Sequence, residues 1–331
     1  MDNTMSIEAI EKAKKKRLFI REIKRNKVAY VYIAPFYILF AIFGLFPILA
    51  GLYISFFRWD GLTAMRFQGF GNYINLMQDR MFWTALSNTA IIGLIAHIPI
   101  LWGGLILAYI LNSKIVKGEN IFKTFYFLPM VTSAVAISIV FQNLFGYNFG
   151  LLNYALAPLG IEPIGWLIGT GEYLRIAIII MFAWQWVGWN MVIYLAGMQG
   201  ISNDIYEAAT IDGASHVQTF FRITMPLLKP IIVFTLIQST IGTLNLFTQP
   251  FILTGGLGGG PNNRGLTVMM YLLSRAPQGG TLFGYASAIA YVITIIAIII
   301  SLSLLRFTND ERRERKEAKR MEAKRIAAKG V

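Results

Sequence analysis

From Val28 to Phe57 the chain runs for 30 residues without an Asp, Glu, Lys, Arg or His. A helix needs about 20 apolar residues to cross a hydrocarbon core, and helices buried in soluble cores seldom exceed about 14. The run therefore predicts a membrane span. Five more apolar segments follow at approximately 84–112, 120–145, 173–198, 227–253 and 282–305. Lipid supplies no hydrogen-bond partner for peptide groups, so these segments must be helical; their length and unbroken apolarity exclude barrel strands. The expected fold class is an all-α membrane protein with six transmembrane helices.

Charge is concentrated at the two ends. Of 30 Lys and Arg, nineteen fall in 1–27 and 306–331. These tails adjoin spans, so their counter-surface is anionic lipid and not nucleic acid, despite a net charge of +13. The expected organisation is a basic tail over 1–27, a six-helix domain over 28–305 carrying a polar loop at 199–226, and a second basic tail over 306–331. With the N-terminus inside, the inner segments hold 24 Lys and Arg and the outer loops six. The positive-inside rule then places both termini in the cytoplasm of a bacterial or archaeal cell. The N-terminal tail and first run resemble a secretory signal, but the run is far too long for one and no A-x-A site follows, so a retained span is expected. Trp59, Trp83 and Trp166 near the outer ends fit an interfacial belt. The C-terminal tail spaces Glu311 and Arg315 as a solvated helix or a disordered basic segment would.

Several chemistries are excluded. The chain has no cysteine, hence no disulfide, no thiolate catalyst and no Cys-containing metal site. His97 stands alone before Pro99 and reads as structural. No metal constellation is found, and no cofactor is expected on this chain. Gly118 to Lys123 and Thr124 lacks the glycine that precedes the lysine of a phosphate-cradling loop. No Asp or Glu lies within the six segments, so an ion-coupled carrier would lack the usual intramembrane carboxylate.

The loop 199–226 is too long for an ordinary helix connection of about 2–8 residues. Ser202, Asn203 or Asp204 can cap a short helix from about Ile205 to Ile211, and Gly213 can end it in the left-handed conformation. Projecting from two spans, such a helix is a lever. Small Ala208, Ala209 and Ala214 allow close approach of a partner, and Glu207 supplies a fixed charge. Glu207 and Asp212 lie five residues apart, toward opposite sides of a helix, so they make no acid–base pair. Pro226 marks the start of the fifth span or a kink just inside it.

The same residues carry a family resemblance. Glu207-Ala208-Ala209, three residues, Gly213, nine residues and Ile223-Thr224-Met225-Pro226 resembles the EAA signature of membrane subunits of binding-protein-dependent ATP-binding cassette importers, with Met225 at the usual Leu. Phe122 to Pro129, Leu195 to Gln199, and Leu253-Thr254-Gly255-Gly256 with the Gly-Gly-Pro-Asn-Asn run after it are similar to the sugar and glycerol-phosphate branch. The resemblance implies a type I importer permease fold and a non-catalytic permease subunit of the inner membrane. It also implies a second homologous permease subunit, two ATPase subunits that bind ATP and Mg, and an extracytoplasmic solute-binding protein. Glu207, Ala208, Ala209, Asp212, Gly213, Ala214 and Pro226 are then the coupling residues. The extra N-terminal spans and inserted outer domain of the larger maltose-type subunit are not expected.

Polar residues within spans need a partner or a water-filled cavity. Thr235, Gln238, Gly242, Asn245 and Gln249 fall at steps of three and four, on one helical face and hence a candidate pore wall. In the fourth segment Gln185 and Trp189 lie one turn apart beside Asn190, an amide and an indole of the kind that bind sugar hydroxyls and ring faces. These residues and Ser239 are the candidate substrate pathway; the alternative is hydrogen bonding between helices with no solute involved. A stripe without cations suits an uncharged di- or oligosaccharide. A self-contained carrier or channel for a small polar solute remains the other reading.

Overall fold

The computed structural model describes residues 25–113, 116–275 and 283–329, with Lys12, Lys14 and Arg21 isolated before them and side chains only as far as Arg306. The expected tail 1–27 therefore lies almost wholly outside the described residues, as do Lys114 and the side chains of Glu311 and Arg315.

The described residues are helical with one two-stranded hairpin. In order it comprises α1 (Lys27–Ser55), β1 (Phe57–Arg58), β2 (Arg66–Phe67), α2 (Gly71–Gln78) and α3 (Arg80–Asn112). These are followed by α4 (Glu119–Val131), α5 (Ala134–Leu144), α6 (Leu151–Leu156), α7 (Leu174–Gln199) and α8 (Asn203–Ile211). The last elements are α9 (His216–Leu244), α10 (Thr248–Leu253), α11 (Val268–Ser274) and α12 (Phe283–Lys329). The strands pair antiparallel, Phe57 opposite Phe67. Among the described residues five helices are long and apolar enough to span, α1, α3, α7, α9 and the Phe283–Arg306 part of α12. The chain is a multi-pass membrane protein.

The third expected span is not a straight crossing. α4 and α5 meet at 94° across Thr132 and Ser133. Pro129 deprives the carbonyl four residues earlier of its donor, Thr132 turns extended, and its hydroxyl donates to the carbonyl of Leu128 at 2.8 Å. At 13 residues, α4 rises only about 20 Å, short of a hydrocarbon core. The fifth expected span also differs at both ends. It begins at His216, where Ser215 and Gln218 form a reciprocal capping box. It stops at Leu244, where the Asn245 amide donates to the carbonyl of Ile241 at 2.8 Å.

Three prolines stand in or just past wider turns. π-helical segments at Ala41–Leu45, Ile98–Gly103 and Phe220–Thr224 adjoin or contain Pro47, Pro99 and Pro226. An i→i+5 register absorbs the donor that a proline lacks. Pro226 thus sits just beyond a wide turn inside α9. α12 continues through the expected boundary at residue 306 as one helix, so the C-terminal tail starts as an extension of the last span.

α7 is the most deeply buried span. Gly188 brings it against α4: a Cβ there would stand 1.7 Å from the carbonyl oxygen of Tyr126. Gly104 of α3 packs on another flank of α7, less tightly, where a Cβ would lie 2.8 Å from the Cβ of Asn190. α1 is the converse case. None of its apolar window is buried; it packs on α12, with the Tyr291 hydroxyl donating to the carbonyl of Ile48.

Opposite the α8 end, irregular backbone is fixed by buried amides. Asn88 donates to the carbonyls of Asn263 and Leu266 at 2.7 and 2.9 Å and accepts from Arg175 at 2.6 Å. Asn262 and Asn263, at φ 51° and 54°, make the left-handed turn that ends the Gly-Gly-Pro-Asn-Asn run. Asn153 accepts from the Trp166 indole at 3.0 Å. Trp166 is buried, so it belongs to this core and not to a lipid-facing belt, a correction to the expected placement. Asp79 caps α3 through the amides of Met81 and Phe82 and accepts from the hydroxyls of Tyr271 and Tyr285. Burial alone raises its pKa, but these four hydrogen bonds outweigh burial and hold it below the ordinary value of 3.8.

Candidate functional site

The α8 loop is rigid for reasons visible in its backbone. The Ser202 hydroxyl accepts from the amide of Asp204, capping α8 as expected. At the other end Gly213 has φ +74°, its amide donates to the carbonyl of Thr210 at 3.1 Å, and Ala214 donates to Ala209 at 2.9 Å. This 5→2 and 6→1 pair is a Schellman closure, which needs a left-handed residue where Gly213 stands.

The loop is also tied to the spans on both sides. Tyr206 of α8 shares a 3.3 Å hydrogen bond with Thr224 of α9. Tyr109 of α3 donates to the carbonyl of His216 at 3.0 Å and sets its ring edge-on to Phe220 at 4.8 Å. A displacement of α8 is therefore passed to α9, whose first turns are in turn tied to α3. A cleft of about 1070 Å³ opens between α3 and α8, with Tyr109, Asn112, Gln199, Tyr206 and Glu207 on its walls.

The helical turn decides which loop residues are free. Tyr206 and Ala209 share the inward face, and Ala209 is only 6% exposed. The expectation that Ala209 meets a partner is thus corrected: at 100° per residue it falls in phase with Tyr206 and packs on its own chain. Glu207, Ala208, Asp212, Gly213 and Pro226 are exposed, and Ala214 is half-buried. Ile211, not among the expected coupling residues, is 85% exposed beside Ala208. An isoleucine out of phase with Tyr206 and Ala209 was the available signal.

The second site lies between α7 and α9. Trp189, Asn190, Thr235, Gln238, Ser239 and Gly242 of the expected pathway line one cleft with Phe182 and Trp186. Trp189 stacks on Phe127 of α4, ring centroids 6.2 Å apart and 30° from parallel. Gln238 and Asn245 are exposed, and nothing lies within 4 Å of where a Gly242 Cβ would stand. Thr235 is buried under Tyr194, hydroxyl to hydroxyl at 2.7 Å. The cleft has room of about 10 Å³, the size of one water. It is a wall and not a complete solute pocket.

Three expected pathway residues do not line the cleft: Asn245, exposed just past the end of α9, and Gln185 and Gln249. The break after Leu244 rotates Gln249 off the face that carries Gln238 and Asn245. Gln249 instead donates to the side chain of Gln185 at 2.8 Å, and both are buried. They join α7 to α10, as polar residues between membrane helices do. Phe182 and Trp186 are wall residues outside the expected pathway, and Phe127 backs the wall through its stack on Trp189. Among the described residues no cluster of His, Asp or Glu is arranged to hold a metal.

With a tethered loop at one end and a polar wall in the bundle, residues 100–315 match the family described as the binding-protein-dependent transport system inner membrane component. The chain belongs to that family. The lactose transport system permease protein LacF of Rhizobium radiobacter is 41% identical over 275 residues, covering 82% of this chain and 91% of LacF. The arabinooligosaccharides transport system permease protein AraP of Bacillus subtilis is 36% identical over 291 residues, covering 86% of this chain and 89% of AraP. The crystal structure of a bacterial ABC transporter that imports the acidic polysaccharide alginate contains a chain of the same fold, with a TM-score of 0.72 at 24% identity. The match covers 88% of this chain and 98% of that one. The expected type I importer permease fold is therefore present, with its third span broken and its fifth running from His216 to Leu244.

Proposed function

We propose that this permease forms half of the translocation path of an ATP-driven importer for an uncharged di- or oligosaccharide. ATP and Mg are bound by two separate ATPase subunits, and this chain contributes no catalytic residue. A second homologous permease completes the path, and an extracytoplasmic binding protein delivers the sugar. The chain sits in the cytoplasmic membrane with both termini in the cytoplasm and makes no contact with nucleic acid. The split of Lys and Arg between the two sides supports that orientation. The unburied surface of α1 supports a neighbouring subunit or lipid against it.

The observation that carries the reading is α8 itself. It is capped at both ends, tied to α9, and bare on the face that holds Ala208 and Ile211. We assign energy coupling to Glu207, Ala208, Ile211, Asp212, Gly213 and Ala214, with Pro226 beside the wide turn near the start of α9. Ala209 holds the loop from within. ATPase closure then biases an inward-facing against an outward-facing bundle, a two-state coupling.

Solute contact falls to Trp189, Gln238, Asn245 and the open side of Gly242, with Asn190 and Ser239 at the cleft. Gln185 and Gln249 keep α7 and α10 in register. The relatives' names, lactose and arabinooligosaccharides, and a cleft lined by an indole and amides without Lys or Arg support a neutral sugar. The test is co-purification with the two ATPase subunits and the second permease, followed by ATPase measurements with and without binding protein and a sugar panel. A stable complex stimulated by binding protein and one sugar is expected. Solute transport by this chain alone in liposomes under an ion gradient would overturn the proposal in favour of a self-contained carrier.

A further inference from the structure

We propose that the Trp186 indole and the Asn190 amide form a subsite that reads one sugar hydroxyl, by requiring a group that accepts and donates a hydrogen bond at once. This rests on the reading of the α7–α9 wall as part of a sugar path and names what the wall recognises.

Trp186 Nε1 and Asn190 Oδ1 are buried and have no hydrogen-bond partner; among the described residues only His97 Nε2 shares that state. Buried polar atoms in folded chains are nearly always paired, so an orphan marks a missing water, ion or ligand. Two of these three orphans sit one helical turn apart on α7, and both residues line the same cleft. Asn190 is 2% exposed.

The chemistry of the pair is fixed. An indole N–H only donates. Asn190 Nδ2 donates to the backbone carbonyl of Trp186 at 3.1 Å, which sets the amide's orientation, since a flip would face oxygen with oxygen. Oδ1 is therefore an acceptor. A hydroxyl completes both atoms. A carboxylate accepts from the indole but has nothing to give Oδ1, and an ammonium or guanidinium cannot accept from the indole. The room of about 10 Å³ admits one hydroxyl-sized group and no ring. The sugar ring thus stays outside, toward Trp189 and Gln238, and extends one hydroxyl inward. Water fills the same position when no sugar is present.

The test uses the whole importer reconstituted with its binding protein. From a panel of neutral di- and oligosaccharides, the one that drives uptake is compared with its series of monodeoxy derivatives. In the wild type, loss of one particular hydroxyl lowers uptake at limiting concentration by about tenfold, the worth of about one net hydrogen bond. Trp186→Phe and Asn190→Leu are expected to abolish discrimination at that hydroxyl and leave discrimination at the others intact. If Asn190→Leu does not assemble, Trp186→Phe, which keeps an aromatic ring, carries the test alone. Cryo-EM maps separate the two occupants: water between the two side chains without sugar, and a sugar hydroxyl in its place with sugar.

Unchanged discrimination in the variants, or a water that persists in the loaded complex, would overturn the subsite and leave the sugar reading standing. No panel sugar driving uptake would overturn both.

Discussion

Substituting Gly213 isolates backbone conformation as the variable in coupling. Its φ of +74° is left-handed, and no heavy atom lies within 4 Å of where a Cβ would stand. Alanine therefore adds strain without a clash inside this chain. A left-handed residue other than glycine costs about 1–2 kcal/mol, less for asparagine and more for a β-branched side chain. The two hydrogen bonds that close the loop, Gly213 to Thr210 and Ala214 to Ala209, exist only in that conformation. A strain of about 1.4 kcal/mol lowers the population of the docking-competent loop, and with it the apparent affinity for the ATPase subunit, by up to about tenfold. The assay is sugar-stimulated ATPase as a function of added ATPase subunit, for Gly213→Asn, Gly213→Ala and Gly213→Val. The expected order of apparent affinity is wild type, Asn, Ala, Val. An asparagine variant no better than alanine would refute the conformational argument and point to crowding at the partner surface. An alanine variant equal to wild type would remove Gly213 from the coupling element.

Three further outcomes follow from the packing. Gly188→Ala should separate α7 from α4, because a Cβ at 1.7 Å from the Tyr126 carbonyl must move by more than an ångström. Overpacking of this kind costs about 1–3 kcal/mol and would appear as a lower melting temperature of the complex, whereas Gly242→Ala, with open space around it, should melt like wild type. Gln185→Leu alone leaves Gln249 buried without its partner and should destabilise by about 1–3 kcal/mol, while the double change to leucine recovers most of the loss; paired thermal melts of the purified complex decide. Asp79 has a folded-state pKa below 3.8, so its contribution is complete above the unfolded value and is lost as pH falls through the lowered one. Melting temperature recorded from about pH 5 to pH 2 should therefore drop less steeply in Asp79→Asn than in wild type.

What the sequence reveals here is hydrophobic length, and what it hides is backbone direction. The expected spans at 28–57, 84–112, 173–198 and 282–305 fall within a few residues of Lys27–Ser55, Arg80–Asn112, Leu174–Gln199 and Phe283–Arg306, because an uncharged stretch of that length has few alternatives in lipid. Hydropathy is blind to the 94° bend at Thr132 and Ser133, since both halves are apolar and only Pro129 signals the change. It is equally blind to the break after Leu244, where the capping amide of Asn245 stopped a helical stripe that periodicity extended to Gln249. In the α8 loop the Gly213 turn was legible because only one backbone conformation suits its place. Ala209 was misread because small size suggested a partner contact, whereas its phase with Tyr206 turns it inward. The orphan atoms of Trp186 and Asn190 were not legible, since a missing partner can be recognised only once the neighbours are in place.

The absence of cysteine permits a direct measurement of the coupling face. Single changes Ala208→Cys, Ile211→Cys and Ala209→Cys are introduced in turn, the complete importer is assembled, and oxidative cross-linking to a cysteine placed in the facing groove of the ATPase subunit is followed with and without ATP. Cross-links from positions 208 and 211 whose yield changes with nucleotide, and none from position 209, are the predicted result. Equal cross-linking from all three positions, or from none while the complex still transports, would contradict the assignment of α8 as the element through which ATP drives this permease.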